Sequence, residues 1–298
     1  MSEQDSFRCG YVALVGRPNV GKSTLLNRLI GQKLAIVSRK PQTTRHKILG
    51  IHHRDDAQVV YVDTPGIHRK TPRQMNRYLN RTAQDALNDV DVVVFVVDGL
   101  RWTEDDELVL GKLREVTTPV ILVVNKVDQI ADKTQLLPHL QMLAQKRDFA
   151  AIVPISARKG TNTDDLEREI VRLLPVSEPL FPEDQFTDRS ARFLAAELVR
   201  EQLMRTLGEE VPYATTVEIE RFEELEGLNR IAAVIWVERP GQKAIVIGRQ
   251  GQLLKRIGQA ARLEMERMFG CRVYLQLWVK VREGWSDDEK ALRSLGYE

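Results

Sequence analysis

The chain has 298 residues, of which 43% are hydrophobic, and its 44 Lys and Arg against 42 Asp and Glu give a net charge of +2. It is longer than one usual domain and apolar enough to bury real cores. Its two cysteines lie far apart in sequence, which argues against a disulfide framework, and its longest apolar runs are too short to cross a bilayer.

The first predicted elements are a strand, a loop and a helix, in the order that phosphate binding requires. Residues 11–15 form an apolar run suited to a buried strand, and residues 23–30 repeat apolar side chains at helical spacing. Between them, Gly16 and Gly21 permit backbone conformations in which successive N–H groups surround phosphate oxygens, while the helix points its positive end at the same anion. A glycine turn with a purely structural role is the alternative.

The motif Gly16-x4-Gly21-Lys22-Ser23 assigns two side chains of this loop. Lys22 is expected to reach the β- and γ-phosphates of a nucleotide, and the Ser23 hydroxyl is expected to ligate Mg²⁺. The loop alone would accept ATP or GTP equally well.

The next two segments are expected to act on the metal and the γ-phosphate. Thr44 is the favoured Mg²⁺ ligand of the pair Thr43 and Thr44, although both could be ordinary loop threonines. Asp63 lies at the end of an apolar strand-like run, which is the position of a carboxylate that supports a Mg²⁺ site from its second shell. Gly66 can present a bare N–H to the γ-phosphate. Residues 67–73 are polar and poorly periodic, which suits a segment ordered only by that phosphate.

A later segment predicts that the base is guanine. Asn125-Lys126-Val127-Asp128 follows an uninterrupted β-branched run at residues 120–124, which places it at the carboxyl end of a buried parallel strand. The Asp128 carboxylate can accept hydrogen bonds from guanine N1–H and N2–H₂, donors that adenine lacks. Ser156 and Ala157 end a further strand-like run, where the Ala157 N–H could meet guanine O6.

Together these segments define the predicted site. The residues expected to contribute to catalysis are Lys22, Thr44 and Gly66, and those expected to hold Mg²⁺ are Ser23, Thr44 and Asp63. The predicted nucleotide-binding residues are Gly16, Arg17, Pro18, Asn19, Val20, Gly21, Lys22, Ser23, Thr24, Asp63, Thr64, Pro65, Gly66, Ile67, Asn125, Lys126, Val127, Asp128, Ser156 and Ala157.

These motifs resemble the TrmE-Era branch of the translation-factor-like GTPases. The resemblance implies GTP and GDP as ligands, Mg²⁺ as cofactor and slow hydrolysis. Ile67 stands where Ras-like enzymes carry a glutamine that orients the attacking water, and the branch is known for a hydrophobic residue there. Some members also use K⁺ with a phosphate-loop asparagine as ligand. Asn19 matches that position, so K⁺ dependence is a hypothesis.

The domain boundary is predicted after residue 175. Three prolines between Pro175 and Pro182 indicate a stiff extended linker. We therefore expect a nucleotide-binding domain over residues 1–176, a linker over 177–187 and a second domain over 188–298.

The second domain reads as helix, strand, strand, helix, helix, strand. Residues 190–207 predict a helix, residues 215–222 and 230–237 a hairpin, and residues 272–281 a last strand. Between the last two helices stands Gly248-Arg249-Gln250-Gly251. This pattern resembles a KH domain, although a structural helix-turn-helix corner is the alternative. The expected fold is therefore α/β: a P-loop GTPase domain with a doubly wound, mostly parallel sheet, followed by a smaller α+β type II KH domain.

Charge in the second domain is unevenly distributed. Residues 188–298 carry 18 basic and 18 acidic side chains, but residues 239–282 hold ten basic residues against Glu264 and Glu266. This distribution predicts an electrostatic footprint for RNA around the glycine turn. The predicted RNA-binding residues are Lys243, Gly248, Arg249, Gln250, Gly251, Lys255, Arg256 and Arg262.

A branch member that joins one KH domain to its GTPase domain matures the small (30S) ribosomal subunit. Resemblance to it implies binding to the 3′ end of 16S rRNA and peripheral contact with the inner face of the bacterial cell membrane. The first six residues lack the basic and apolar regions of a signal peptide, so we expect a cytoplasmic monomer without a transmembrane segment. The alternative is a membrane-linked or signalling GTPase whose C-terminal domain binds a protein.

Overall fold

The computed structural model describes residues 7–67, 74–208 and 210–297. These residues divide into two compact units. The first unit comprises residues up to 35, residues 44–67 and residues 79–188, and the second comprises residues 36–43, 74–78 and 189–297. Two short segments of the N-terminal half therefore group with the C-terminal unit.

The first unit is built on a six-stranded sheet in the order β2-β3-β1-β4-β5-β6. Its strands are β1 (Arg8–Val15), β2 (Ile48–His53), β3 (Ala57–Asp63), β4 (Val92–Asp98), β5 (Val120–Asn125) and β6 (Ala151–Pro154). Only β2 runs antiparallel to its neighbour. The apolar runs of β4 and β5 are buried along their length, as expected for parallel strands covered on both faces.

Five helices accompany these strands in the described part of the unit. They are α1 (Lys22–Ile30), α2 (Gln74–Asp85), α3 (Glu104–Leu113), α4 (Leu136–Ala144) and α5 (Thr163–Leu173). Residues 74–78 of α2 group with the second unit, and the rest of α2 groups with the first. The strand order reverses at β1, which pairs with β3 on one side and β4 on the other. Ligands of open α/β sheets bind at the carboxyl ends of the strands beside such a reversal, and the loop after β1 lies there.

The predicted linker lies along the first unit. Val176 bridges to Arg8, and the Ile51 N–H donates to Phe186 O over 2.9 Å. The buried side chain of Gln58 accepts from Leu180 N–H and donates to Phe181 O. These contacts with β1, β2 and β3 fix the course of residues 176–187 along the first unit.

The second unit has the predicted element order. Its helices are α6 (Ala191–Thr206), α7 (Pro240–Ile247), α8 (Gln252–Phe269) and α9 (Glu289–Ser294), and its strands are β7 (Thr215–Leu225), β8 (Leu228–Val237) and β9 (Arg272–Val281). β7 pairs antiparallel with β8, which pairs parallel with β9. The core of the unit joins α6 and α8 to one face of this sheet. The predicted fold class is confirmed for both units.

Candidate nucleotide site and nucleic-acid interface

The loop between β1 and α1 has the glycine-dependent backbone that the motif predicts. Gly16 has φ of 150° and Gly21 has φ of 105°. A Cβ on Gly16 would stand 2.4 Å from Val96 O, and one on Gly21 would stand 2.3 Å from the Asn125 side-chain amide nitrogen. Both positions therefore exclude every residue that has a side chain.

The Lys22 ammonium is buried inside this loop. Its Nζ donates to Gly16 O and Arg17 O, each over 3.0 Å, and the residue is only 6% exposed. Burial lowers the pKa of Lys22 to about 8, although the nearby Asp63 carboxylate opposes the shift. The backbone carbonyls thus hold the ammonium in the loop that is predicted to bind phosphate.

Three oxygen-bearing side chains converge beside Lys22. Ser23 Oγ donates to Asp63 Oδ2 over 2.8 Å and lies 2.8 Å from Thr44 Oγ1, which itself lies 3.3 Å from Asp63 Oδ2. Asp63 is fully buried, and burial raises its pKa. Its Oδ1 has no hydrogen-bond partner among the described residues. A buried carboxylate oxygen without a partner, next to two hydroxyls, fits a hard cation such as Mg²⁺.

The two threonines at 43 and 44 are separated by the fold. Thr44 contributes its hydroxyl to the group around Asp63, whereas the Thr43 hydroxyl donates to Lys40 O over 2.7 Å. Thr44 is 8% exposed. The arrangement supports Thr44 as the metal ligand of the pair.

Ile67 is part of the hydrophobic core. It is 1% exposed, and its N–H donates to Gly16 O over 3.3 Å. A Cβ on Gly66 would stand 2.6 Å from the Pro18 nitrogen, so this segment passes directly over the phosphate loop. Thr64 Oγ1 fixes the preceding turn by donating to Leu14 O. The rest of the predicted phosphate-ordered segment, residues 68–73, lies outside the described residues.

Asn125 joins the phosphate loop to the predicted base site. Its side-chain nitrogen donates to Val20 O over 2.8 Å, and its side-chain oxygen accepts from the N–H groups of Lys126 and Ala157. The Lys126 ammonium donates to Asn19 O over 2.7 Å. The residue types of the Asn-Lys-x-Asp motif thus have structural partners as well as a predicted ligand.

Asp128 lies at the partly exposed end of this arrangement. Ser156 Oγ donates to Asp128 Oδ1 over 2.6 Å, and that hydrogen bond holds the Asp128 pKa below its usual range. The carboxylate is therefore ionised and fixed in direction, as recognition of guanine N–H groups requires. The Ala157 N–H already donates to Asn125, so its bond to guanine O6 stays a prediction.

Two carboxylates that were not predicted from the sequence contact Arg17 of the phosphate loop. Arg17 Nε donates to Asp106 Oδ2 over 3.0 Å, and Arg17 also lies 3.5 Å from Asp98 Oδ2, which pairs with Lys126. Asp106 is fully buried and closes a capping box with Thr103 at the start of α3. The spacing Thr103-x-x-Asp106 was a recognisable helix-start signal, but its tie to Arg17 is a tertiary contact.

The short segment 36–43 is bound to α6 within the second unit. The Val37 N–H donates to Glu201 Oε1 over 2.9 Å, and Arg205 donates to Val37 O over 3.1 Å. Arg200, itself buried and paired with Glu197, donates to Thr43 O. The residue that follows Thr43 in the chain is the Thr44 described above.

The Gly-x-x-Gly turn of the second unit is shaped for backbone approach. Gly248 has φ of 71°, Gln250 has φ of 52° and Gly251 has φ of 75°. A Cβ on Gly248 would stand 2.5 Å from the Leu253 Cβ, so glycine is required there on steric as well as conformational grounds. The turn thus exposes backbone between the ends of α7 and α8.

Most of the predicted RNA-binding residues lie in or near this turn in sequence and have exposed side chains. Arg249, Gln250, Lys255 and Arg256 are exposed and Lys243 is half-buried. In the described part of the chain, none of the four basic residues among them pairs with a carboxylate. Arg262 differs, because it lies farther along α8 and forms a 2.6 Å ion pair with Glu266. Ile245 beside the turn is 50% exposed, so the surface there is partly apolar.

Two family models match the chain. Residues 11–126 match the model described as 50S ribosome-binding GTPase, and residues 210–286 match the KH domain model. The first match covers the phosphate loop through Lys126, and the second covers the Gly-x-x-Gly turn.

Similar proteins and structures extend over the whole chain. A protein named GTPase Era from Azotobacter vinelandii is 62% identical over 100% of this chain and 99% of its own length. A Pseudomonas aeruginosa protein of the same name is 61% identical over 97% of this chain and 95% of its own length. A crystal structure of Era with MgGDPNP and nucleotides 1506–1542 of 16S ribosomal RNA superposes with a TM-score of 0.93 at 41% identity, covering 98% of this chain and 99% of that one.

A second solved structure contains a different ligand. It is an Aquifex aeolicus Era variant bound to GDP and AlF4⁻, with a TM-score of 0.93 at 41% identity and the same coverage of 98% and 99%. Among the described residues, no helix is both long and apolar enough to span a membrane.

Proposed function

Since the chain belongs to the Era family of GTPases, we propose that it is a GTP-driven switch that binds 16S rRNA near its 3′ end and assists maturation of the small (30S) ribosomal subunit. It is a GTPase that uses GTP, GDP and Mg²⁺. The observation that carries the RNA proposal is one chain holding both the nucleotide pocket and a Gly-x-x-Gly turn with Arg249, Lys255 and Arg256, which have no carboxylate partner among the described residues.

We assign the nucleotide contacts residue by residue. The Lys22 ammonium would leave its two backbone carbonyls for the β- and γ-phosphate oxygens, and the loop N–H groups would bind the same oxygens. Ser23 and Thr44 would hold Mg²⁺, and the Asp63 carboxylate that both hydroxyls contact would be the third oxygen group of the site. The metal supplies positive charge that stabilises the phosphoryl oxygens as the bond to γ-phosphate breaks.

We propose slow intrinsic hydrolysis. Ile67 is packed in the core, so position 67 offers no polar group to orient the attacking water. Gly66 would donate its N–H to the γ-phosphate. Catalysis would then rest on positioning and charge stabilisation, and an added activator or K⁺ at Asn19 would raise the rate. Turnover that is equal in Na⁺ and K⁺ at matched ionic strength would remove the K⁺ hypothesis.

We propose that the segment before Thr44 couples nucleotide to RNA. Mg²⁺ would fix Thr44, while residues 36–43 are bound to α6 of the KH unit by Arg205 and Glu201. Because Thr43 and Thr44 are consecutive, a change at the metal must pass into this segment.

The RNA proposal is tested by reversing charge at the turn. Arg249→Glu with Lys255→Glu should weaken binding to a single-stranded 16S 3′ segment by more than tenfold and lower the salt dependence of the affinity. Arg168→Glu with Arg172→Glu on α5 is the matched control, since both are exposed on the nucleotide-binding unit. Unchanged RNA binding, or none by the parent, would favour a protein partner for the C-terminal domain.

The ribosomal and cellular assignments are also proposals. Association with small-subunit precursors predicts co-sedimentation with immature 30S particles in the GTP-bound state.

A cytoplasmic site of action follows from an rRNA target, and peripheral contact with the inner membrane face rests on family resemblance. Vesicle flotation with anionic lipids tests the membrane contact, which fails if the protein stays with the soluble fraction at low salt.

A further inference from the structure

The sheet of the KH unit uses its two faces differently. Ile231 and Ile235 of β8 and Val273 and Val279 of β9 are buried in the core with α6 and α8. Because strand side chains alternate, the residues between them lie on the other face. The parallel register places Arg272 next to Leu228 and Tyr274 next to Arg230 on that face.

A concavity of about 590 Å³ lies at this end of the sheet. The charged residues that line it are Arg221, Arg230, Arg262, Arg272, Glu223 and Glu266. Both carboxylates are already paired, Glu223 with Arg221 and Glu266 with Arg262. Within the described part of the chain, Arg230 and Arg272 have no carboxylate partner. The concavity therefore carries two uncompensated positive charges.

Exposed aromatic rings stand beside these arginines. Tyr274 is 53% exposed and lines the concavity, and Trp278 on the same face of β9 is 43% exposed. They lie four positions apart along the strand, or about 13 Å. Farther along the face, Lys280 is already engaged with Glu220 and with the Trp236 ring. Unpaired arginine next to exposed aromatic rings matches the needs of single-stranded nucleic acid, whose phosphates take the charge and whose bases stack.

One helix leads from the Gly-x-x-Gly turn to the concavity. α8 starts directly after Gly251, and Arg262 lies eleven residues farther along it, which is about 16 Å of helix. A KH groove clamps only about four nucleotides. A longer single strand that leaves the groove along α8 therefore has the concavity within reach.

We propose that Arg230, Arg272 and Tyr274, here named the arginine face, form a second RNA-binding site that holds single-stranded RNA flanking the segment clamped by the Gly-x-x-Gly turn. Arg230 and Arg272 bind phosphates, and Tyr274 stacks on a base. This inference rests on the RNA-binding function proposed above. It adds a site outside the KH groove and assigns it a ligand class.

The test compares RNA lengths on the full-length protein. Arg230→Glu with Arg272→Glu should lower affinity for a 37-nucleotide RNA of the 16S 3′ end by about tenfold or more and reduce its salt slope by about 1.4, the value for two single-strand phosphate contacts. Affinity for a six-nucleotide segment that fills the groove should be unchanged. Tyr274→Ala should cost the longer RNA about tenfold with an unchanged salt slope.

Controls separate this inference from misfolding and from failure of the RNA function itself. GTP hydrolysis and melting temperature should match the parent, and Arg168→Glu with Arg172→Glu should leave both RNA affinities unaltered. Equal affinity of parent and arginine-face variants for the longer RNA would overturn the second site while leaving the KH groove intact. Equal loss for both RNAs would also overturn it, and a parent that binds neither RNA would overturn the RNA-binding function along with it.

Discussion

The nucleotide pocket and the Gly-x-x-Gly surface use polar side chains in opposite ways. In the pocket, Lys22, Asp63 and Asn125 are at most 6% exposed, and each is held by named hydrogen bonds. At the turn, Arg249 and Lys255 are exposed and have no ion-pair partner within the described residues. We therefore expect the pocket to act through fixed geometry and the surface to act through summed charge. Single substitutions should have large effects in the first region and small ones in the second.

The largest expected effect is at the phosphate loop. Lys22→Met removes the buried ammonium and should lower single-turnover GTP hydrolysis by a hundredfold or more, because preorganised positive charge is lost at the transferring phosphoryl group. RNA affinity of the GDP-bound protein should change by less than twofold. Lys112→Met, at a half-buried position of α3 outside the phosphate loop, serves as the matched control and should leave hydrolysis intact. A modest loss with Lys22→Met would contradict the geometric account of the pocket.

Asp128→Asn should change the base that the pocket accepts. Guanine N–H donors would face an amide nitrogen, so GTP affinity should fall by about a hundredfold. Xanthosine triphosphate, which carries an oxygen in place of the guanine amino group, should bind better than GTP. Competition between the two nucleotides, followed by fluorescence, measures the reversal. Retained preference for GTP would show that Asp128 does not contact the base.

Asp106→Asn tests whether the missed carboxylate supports the loop. The substitution replaces a hydrogen bond between two charged groups, Asp106 and Arg17, by a weaker one to a neutral amide. GDP affinity should therefore fall by about fivefold to tenfold. Thr103→Ala removes only the helix cap and should reduce the melting temperature without changing GDP affinity. If both variants lose affinity equally, Asp106 acts through α3 stability alone.

A smaller effect should follow from pH. The pKa of Lys22 is about 8 in the unliganded protein because burial disfavours its ammonium. Bound phosphates favour the ammonium, so GDP affinity should be flat well below pH 8 and fall several-fold between pH 7 and 9. Between pH 8 and about 10.5, the ordinary pKa of a lysine, the unfolded chain binds more protons at Lys22 than the folded protein does. The free energy of unfolding of the unliganded protein should therefore rise with pH in this range. The GDP affinity that remains in the Lys22→Met variant should not fall between pH 7 and 9.

Sequence predicted the two regions by different routes. In the first unit, motif spacing and strand ends indicated Lys22, Asp63 and Asn125 together, because phosphate and guanine chemistry demand fixed residue types. Family membership and fold class are confirmed, while the role of each site residue stays a prediction. Asp98 and Asp106 were missed since their function is to hold Arg17, and no ligand chemistry specifies them.

The second unit shows a different limit. Its element order was predictable from periodicity and glycine stops, and the helix expected over 190–207 is α6. Arg262 was predicted to belong to the surface around the turn. In the structure it pairs with Glu266 one helical turn away, and Glu266 also accepts a hydrogen bond from the Val273 N–H of β9. Strand alternation alone could not indicate that Arg230 and Arg272 have no carboxylate partner within the described residues, because the charged side chains near them come from β7 and α8.

The last substitution concerns residues 36–43, which group with the second unit and directly precede Thr44 in the chain. Arg205→Ala removes a donor to Val37 O and a partner of Glu201 on the half-exposed side of α6. It should leave hydrolysis and GDP-state RNA binding within twofold of the parent. The advantage of the GTP-bound state in RNA binding should shrink, because residues 36–43 would be held less firmly.

The central claim is that nucleotide state governs RNA binding, and one comparison tests it most directly. The dissociation constant of a 37-nucleotide 16S 3′ RNA should be measured for the full-length protein with Mg²⁺ and either GDP or a non-hydrolysable GTP analogue, at one salt concentration. The protein should bind this RNA at least fivefold more tightly with the GTP analogue than with GDP. Equal dissociation constants in the two states would contradict it, since the pocket and the RNA surface would then work independently.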